Sequence, residues 1–123
     1  DYVSQLLPQF KNKISGMAMN VPVANGSCVD LTTEMSSMPS IEEVNNAFKD
    51  ASENELVDLI RYTEDPIVSS DAIGGGETMV FDSKATMIES KKLLKTIAWF
   101  DNGWGFANRI LELSESYNEL ESN

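Results

Sequence analysis

The sequence predicts an α+β fold of two layers, a mostly antiparallel or mixed sheet with helices on one face. Three observations predict it. Short runs of β-branched and aromatic residues with period-two alternation outnumber the helical stripes. Several of those runs are sequence neighbours joined by short loops, which favours antiparallel pairing over the crossovers of a parallel sheet. Two amphipathic stretches, one after Ser40 and one after Asp101, carry apolar residues at helical spacing and need a surface to cover. No repeat or low-complexity linker interrupts residues 1–123, so they read as one domain.

Taken in chain order, Val3, Leu6, Leu7 and Phe10 lie at helical spacing interrupted by Pro8, and nothing before Tyr2 caps them. They read as the tail of a helix whose beginning is missing. Met17, Met19, Val21 and Val23 alternate, and Val29, Leu31, Thr33 and Met35 alternate again. Two strands are expected, with Asn25 and Gly26 as a hairpin turn and the chain's methionines filling the core. The opposite face of that pair carries Ala18, Asn20, Asp30, Thr32 and Glu34, facing solvent or a cleft against another domain.

Ser40 and Glu43 have the spacing of a capping box, and Ile41, Val44, Phe48 and Ala51 form the buried stripe of the helix it opens. A short helical segment is expected over Glu55 to Leu59. The run Gly74 to Gly76 lacks the lysine and spacing of a phosphate loop and reads as a flexible hairpin tip. "TMVFDS" and "ATMIES" then make another pair of short strands. Thr96, Ile97, Trp99 and Phe100 make the last strand, and Phe106, Ile110, Leu113, Tyr117 and Leu120 stripe the last helix. Between them Asp101 to Arg109 form a strand-to-helix corner that joins polar groups to glycine flexibility. Such corners at the end of a sheet commonly meet ligands.

Nine basic against twenty acidic residues give a formal charge of −11, which opposes binding to nucleic acid or to an anionic membrane. No apolar run approaches the roughly 18 residues of a membrane span, and "DYVSQLLPQF" has no basic leader followed by an apolar segment. A cytoplasmic protein is expected. With one cysteine, Cys28, and no histidine, the chain cannot build an internal disulfide, a cysteine zinc cluster or a nucleophile with a histidine partner. Cys28 reads as a buried small hydrophobe. The carboxylate pairs Glu42/Glu43 and Glu64/Asp65 are sequence neighbours that project in different directions, so no acid and base pair is evident. No catalytic residue and no metal ligand is expected within these residues.

"GMAMNVPVANGSCVDLTTEM", "IRYTEDPIVSSDAIG" and "FDNGWGFANRILEL", in this order and at these distances, resemble the C-terminal part of the catalytic domain of glyceraldehyde-3-phosphate dehydrogenase. The resemblance covers Asp1 to Leu113. It implies a partial catalytic domain, with the NAD-binding Rossmann domain and the catalytic cysteine and histidine lying upstream of Asp1. It also implies which residues serve the cofactor. The Asn of the family's DNEWG motif binds the nicotinamide carboxamide and is Asn102 here; the aromatic that follows lies near the nicotinamide and is Phe106. Trp104 would pack the corner and Arg109 would anchor the helix.

Two departures from the pattern stand out. The family's MAFRVP segment holds a substrate-phosphate arginine where this chain has Asn20, and the Glu of DNEWG is Gly103. By resemblance the intact enzyme is an NAD(P)-dependent phosphorylating aldehyde dehydrogenase of glycolysis. It uses NAD, a sugar-phosphate aldehyde and inorganic phosphate, and assembles as a homotetramer. The fragment alone is expected to be inactive and to hold no NAD. "WGFAN" is closer to the sister family, erythrose-4-phosphate dehydrogenase. A stand-alone, non-catalytic assembly domain is the further alternative, motivated by Asn20 and Gly103.

Overall fold

A computed structural model describes residues 2–90 and 92–121. Along the chain run α1 (Tyr2–Leu6), β1 (Ser27–Glu34), α2 (Ile41–Glu53), β2 (Ile60–Thr63), β3 (Met79–Asp82), β4 (Met87–Glu89), β5 (Leu93–Phe100) and α3 (Asn102–Glu121). The strands form one mixed sheet in the order β1-β5-β3-β2, with β4 also pairing β5. This is the α+β architecture that the alternating runs predict.

Strand β5, rich in β-branched and aromatic residues, organises the sheet by pairing with β1, β3 and β4. Its eight residues pair antiparallel with β1 from Ser27↔Phe100 to Glu34↔Leu93, and its far end pairs with β3 through Val80↔Trp99 and Phe81↔Ala98. Since side chains alternate across a strand, these registers put Val29, Leu31, Phe81, Thr96 and Ala98 on one face. The other face holds Cys28, Asp30, Val80 and Trp99. There Lys95 Nζ lies 2.8 Å from Asp30, and Trp99 Nε1 donates to Asp82 Oδ2 at 3.3 Å.

Helix α2 covers the first face at the β2–β3 end. Ser40 Oγ accepts the Glu43 N–H at 3.1 Å while the Ser40 N–H donates to Glu43 Oε2 at 2.7 Å, so the expected capping box is formed. Phe48 stacks on Phe81 with ring centroids 3.8 Å apart, Tyr62 stacks on the same ring, and Phe81 is 1% exposed. Asn45 ties the helix to the β3–β4 connection, donating to Ser83 O and accepting from Thr86 Oγ1. Val44, Ala72, Val80 and Leu94 complete the buried apolar set.

Several local expectations are corrected. Residues 14–24 form no strand, and Met17, Met19, Val21 and Val23 are exposed. Pro22 removes a ladder donor there, and β1 takes β5 rather than its sequence neighbour as partner. Asn25 and Gly26 therefore close no hairpin. None of the six methionines is buried, and Cys28 is exposed. Glu55 to Leu59 are turns, with Asp58 at a left-handed φ of 65° that no helix continues through. Strands β2 and β3 are parallel, so Gly74 to Gly76 lie in the crossover between them rather than at a hairpin tip. Strands β3 and β4 pair with β5, not with each other. Helix α1 ends before Pro8, which opens a 3-10 turn to Phe10; Asp1 lies outside the described residues. Among the described residues no helix is long and apolar enough to cross a membrane.

Candidate functional site

The chain leaves β5 at Phe100 and enters α3 at Asn102, and the one residue between them organises the corner. Asp101 is the N-cap of α3. Its Oδ1 accepts the N–H groups of Gly103 and Trp104 at 2.9 and 3.0 Å, two of the amides that a helix start leaves without an intrahelical partner. Its Oδ2 accepts the Gly74 N–H at 3.1 Å and Asn25 Nδ2 at 3.3 Å. The bond from the Trp104 N–H, then the one from Gly74, hold the Asp101 carboxyl below its ordinary range, so it is ionised at neutral pH.

Two further contacts seat the helix. A Cβ on Gly105 would lie 2.9 Å from Glu77 O, so only the missing side chain lets α3 approach the 77–78 backbone this closely. One turn later the Arg109 guanidinium donates to Thr78 Oγ1 at 2.9 Å, to Gly76 O at 3.3 Å and to Asp58 O at 3.4 Å, and pairs with the Glu112 carboxylate. Arg109 thus anchors the helix. Trp104 does not pack the corner within this chain: it is 57% exposed.

Asn102 is exposed at the first position of α3. Phe106, four residues on, shares its helix face and is 67% exposed, so the two present an amide and an apolar ring together. Asn20 is exposed in the irregular segment before β1. No hydrogen bond joins it to Asn102 or Phe106 among the described residues. The structure brings the two regions together indirectly, through the Ser27↔Phe100 pair at the end of the β1–β5 ladder and through Asn25 on Asp101.

Although Cys28 is exposed, partial desolvation by its sheet neighbours and the nearby carboxylates Asp30 and Asp82 push its thiol up, opposite to what a nucleophile requires. An open cavity of about 300 Å³ on the sheet face, bordered by Val29, Leu31, Phe81, Ala98 and Phe100, offers no charged group to a phosphate. It is uncovered sheet rather than a substrate site.

Sequence reasoning missed Asp101 as the centre of the corner. Its capping role was legible, an Asp directly before a helical stripe. Its second oxygen was not, since Gly74 and Asn25 lie 27 and 76 residues away in sequence.

A family profile described as "Glyceraldehyde 3-phosphate dehydrogenase, C-terminal domain" matches residues 1–102. The chain is 47% identical over 109 residues to Glyceraldehyde-3-phosphate dehydrogenase 2 of Streptomyces avermitilis, covering 89% of this chain and 32% of that protein. It is 40% identical over 111 residues to a cytosolic glyceraldehyde-3-phosphate dehydrogenase of Craterostigma plantagineum, covering 90% of this chain and 33% of that protein. It is 41% identical over 113 residues to a chloroplastic one of Arabidopsis thaliana, covering 92% of this chain and 27% of that protein. The chain therefore spans about a third or less of the length of these curated relatives.

Proposed function

Because the chain belongs to the glyceraldehyde 3-phosphate dehydrogenase C-terminal domain family, we propose that it is the C-terminal part of the catalytic domain of an NAD-dependent, phosphorylating glyceraldehyde-3-phosphate dehydrogenase of glycolysis. The observation that carries the site assignment is the exposed pair Asn102 and Phe106 on one face of a helix whose start is fixed by Asp101.

That pair fits a nicotinamide. A carboxamide side chain donates and accepts together, as the carboxamide of the nicotinamide does, and an exposed ring on the same helix face can lie beside an aromatic heterocycle. When bound, NAD supplies the hydride acceptor. Asn102 then fixes which ring face is presented, and Phe106 keeps water from that side. The nucleophile and base belong to sequence outside these residues, for there is no histidine here and Cys28 is held protonated.

Asn20 stands where the family places a phosphate-binding arginine, and an amide gives up the charge and the bidentate grip. That favours, as a second reading, a domain kept for assembly rather than catalysis. Erythrose 4-phosphate remains the competing sugar-phosphate substrate, since both carry the same phosphate. The intact protein is proposed as a homotetramer in the cytoplasm. The cytosolic Craterostigma relative and the chloroplastic Arabidopsis relative name the two compartments that fractionation would tell apart.

Extending the reading frame upstream of Asp1 and assaying the resulting protein tests the proposal. NAD reduction that requires both glyceraldehyde 3-phosphate and inorganic phosphate is the expected result. A frame that opens near Asp1, with a product that neither binds nor reduces NAD, supports the assembly domain instead.

A further inference from the structure

The geometry points to Asp101 as a positioning residue that locks the segment carrying Asn20 to the start of the helix carrying Asn102 and Phe106, so that the substrate-phosphate and cofactor halves of the site move as one. The inference rests on the function proposed above.

A helix cap needs one acceptor oxygen, and Asn or Ser would serve as well as Asp. Asp101 uses both. One oxygen takes the α3 amides of Gly103 and Trp104, and the other takes Gly74 from the β2–β3 crossover and Asn25 from the segment before β1. Only a carboxylate accepts at both oxygens, about four lone pairs in all, which gives the choice of Asp a reason beyond capping.

The segment has need of such a fastening. Residues 14–24 belong to no helix or strand and are exposed. At their C-terminal end Asn25 is held by Asp101. Gly26 is held where a Cβ would lie 2.8 Å from Ser69 O, at a φ of 90° that other residues rarely adopt. Asn20 is five residues from this anchorage, and Asn102 is the next residue after Asp101. The Ser27↔Phe100 pair already joins the two segments at the end of the β1–β5 ladder, and the Asn25 bond extends that union to the end of the segment that carries Asn20.

Two variants of the full-length dehydrogenase test this. Asn25→Ala removes an exposed side chain and leaves the α3 cap intact. Asp101→Asn keeps one acceptor oxygen for the cap but turns an NH2 toward the donors of Gly74 and Asn25. In each, the Kd for NAD and the KM for the phosphorylated aldehyde should both rise about five- to tenfold, the low end of measured site-to-site couplings. The double variant should be no worse than Asp101→Asn alone, since Asp101→Asn already removes the acceptor that Asn25 uses. Asn25→Ala with NAD affinity within twofold of the parent, whatever its thermal stability, overturns the inference. Asn102→Ala with unchanged NAD affinity would instead overturn the cofactor assignment on which it rests.

Discussion

Two residues of the candidate site can be separated by what they do to ligands and to stability. On the proposed function Asn20 offers a neutral amide where a guanidinium would hold phosphate, and hydrogen bonds to charged groups contribute roughly 1.5–3 kcal/mol. In the full-length enzyme Asn20→Arg should therefore lower the KM for the phosphorylated aldehyde by roughly ten- to a hundredfold and leave that for an unphosphorylated aldehyde nearly unchanged. Equal effects on both substrates would show that position 20 does not face the phosphate. Asp101 acts on stability through its proton. The N–H groups of Trp104 and Gly74 depress its folded-state pKa, so its contribution is fully present above the unfolded value of roughly 3.9. It is lost as pH falls through the lower folded value, because the unfolded chain takes up the proton first. Thermal unfolding followed from pH 6 down to about pH 3 should show a smaller acid loss in Asp101→Asn than in the parent. Glu43, depressed by its bonds to Ser40, has the same sign, so Glu43→Gln is the comparison that isolates the corner.

At the scale of elements, what is local was legible and what is distant was not. The start of α2 was readable because a capping box lies within four consecutive residues, and Ser40→Ala should cost about 1 kcal/mol in a denaturant titration. The stripe of α3 was equally readable from a 3.6-residue period. What seats that helix was hidden, since the close approach of Gly105 to Glu77 O depends on a crossover whose path no periodicity encodes. Gly105→Ala gains roughly 1 kcal/mol of helix propensity but forces a Cβ into a backbone carbonyl, which cannot swing aside as a flexible side chain would. The clash should win by about 1–3 kcal/mol, and a more stable Gly105→Ala variant would show that α3 is not seated on residues 77–78. The strands make the same point from the other side. Alternation in Met17 to Val23 matched alternation in β1, yet a strand needs a partner edge, and β1 pairs with β5, 59 to 73 residues away in sequence along its register. The candidate site divides likewise: Asn102 and Phe106 were placed by a local motif, whereas the tether from Asn25 to Asp101 joins the paired ends of β1 and β5, 76 residues apart in sequence.

For the whole molecule the balance between apolar surface and charge decides behaviour in solution. Helix α2 covers only the β2–β3 end of the sheet, leaving Val29 48% and Leu31 52% exposed. The stripe of α3 is also uncovered, with Ile110, Leu113, Tyr117 and Leu120 all more than half exposed. Contiguous apolar surface of this kind favours association. Opposing it, a formal charge of −11 makes copies of the chain repel one another, and that repulsion is screened over about 10 Å at 0.1 M salt. The two effects respond oppositely to ionic strength, because screening weakens the repulsion while the apolar contact is left intact or strengthened by excluded salts. The 123-residue chain should therefore sediment nearest to its 13.6 kDa monomer mass at low salt and low concentration, and its weight-average mass should climb as either is raised. Salt bridges between copies would give the reverse trend, dissociating as salt is added. A chain that stays monomeric at high concentration in high salt would mean that the α3 stripe and the open sheet face cover each other in solution, which would displace α3 and with it the geometry assigned to Asn102 and Phe106.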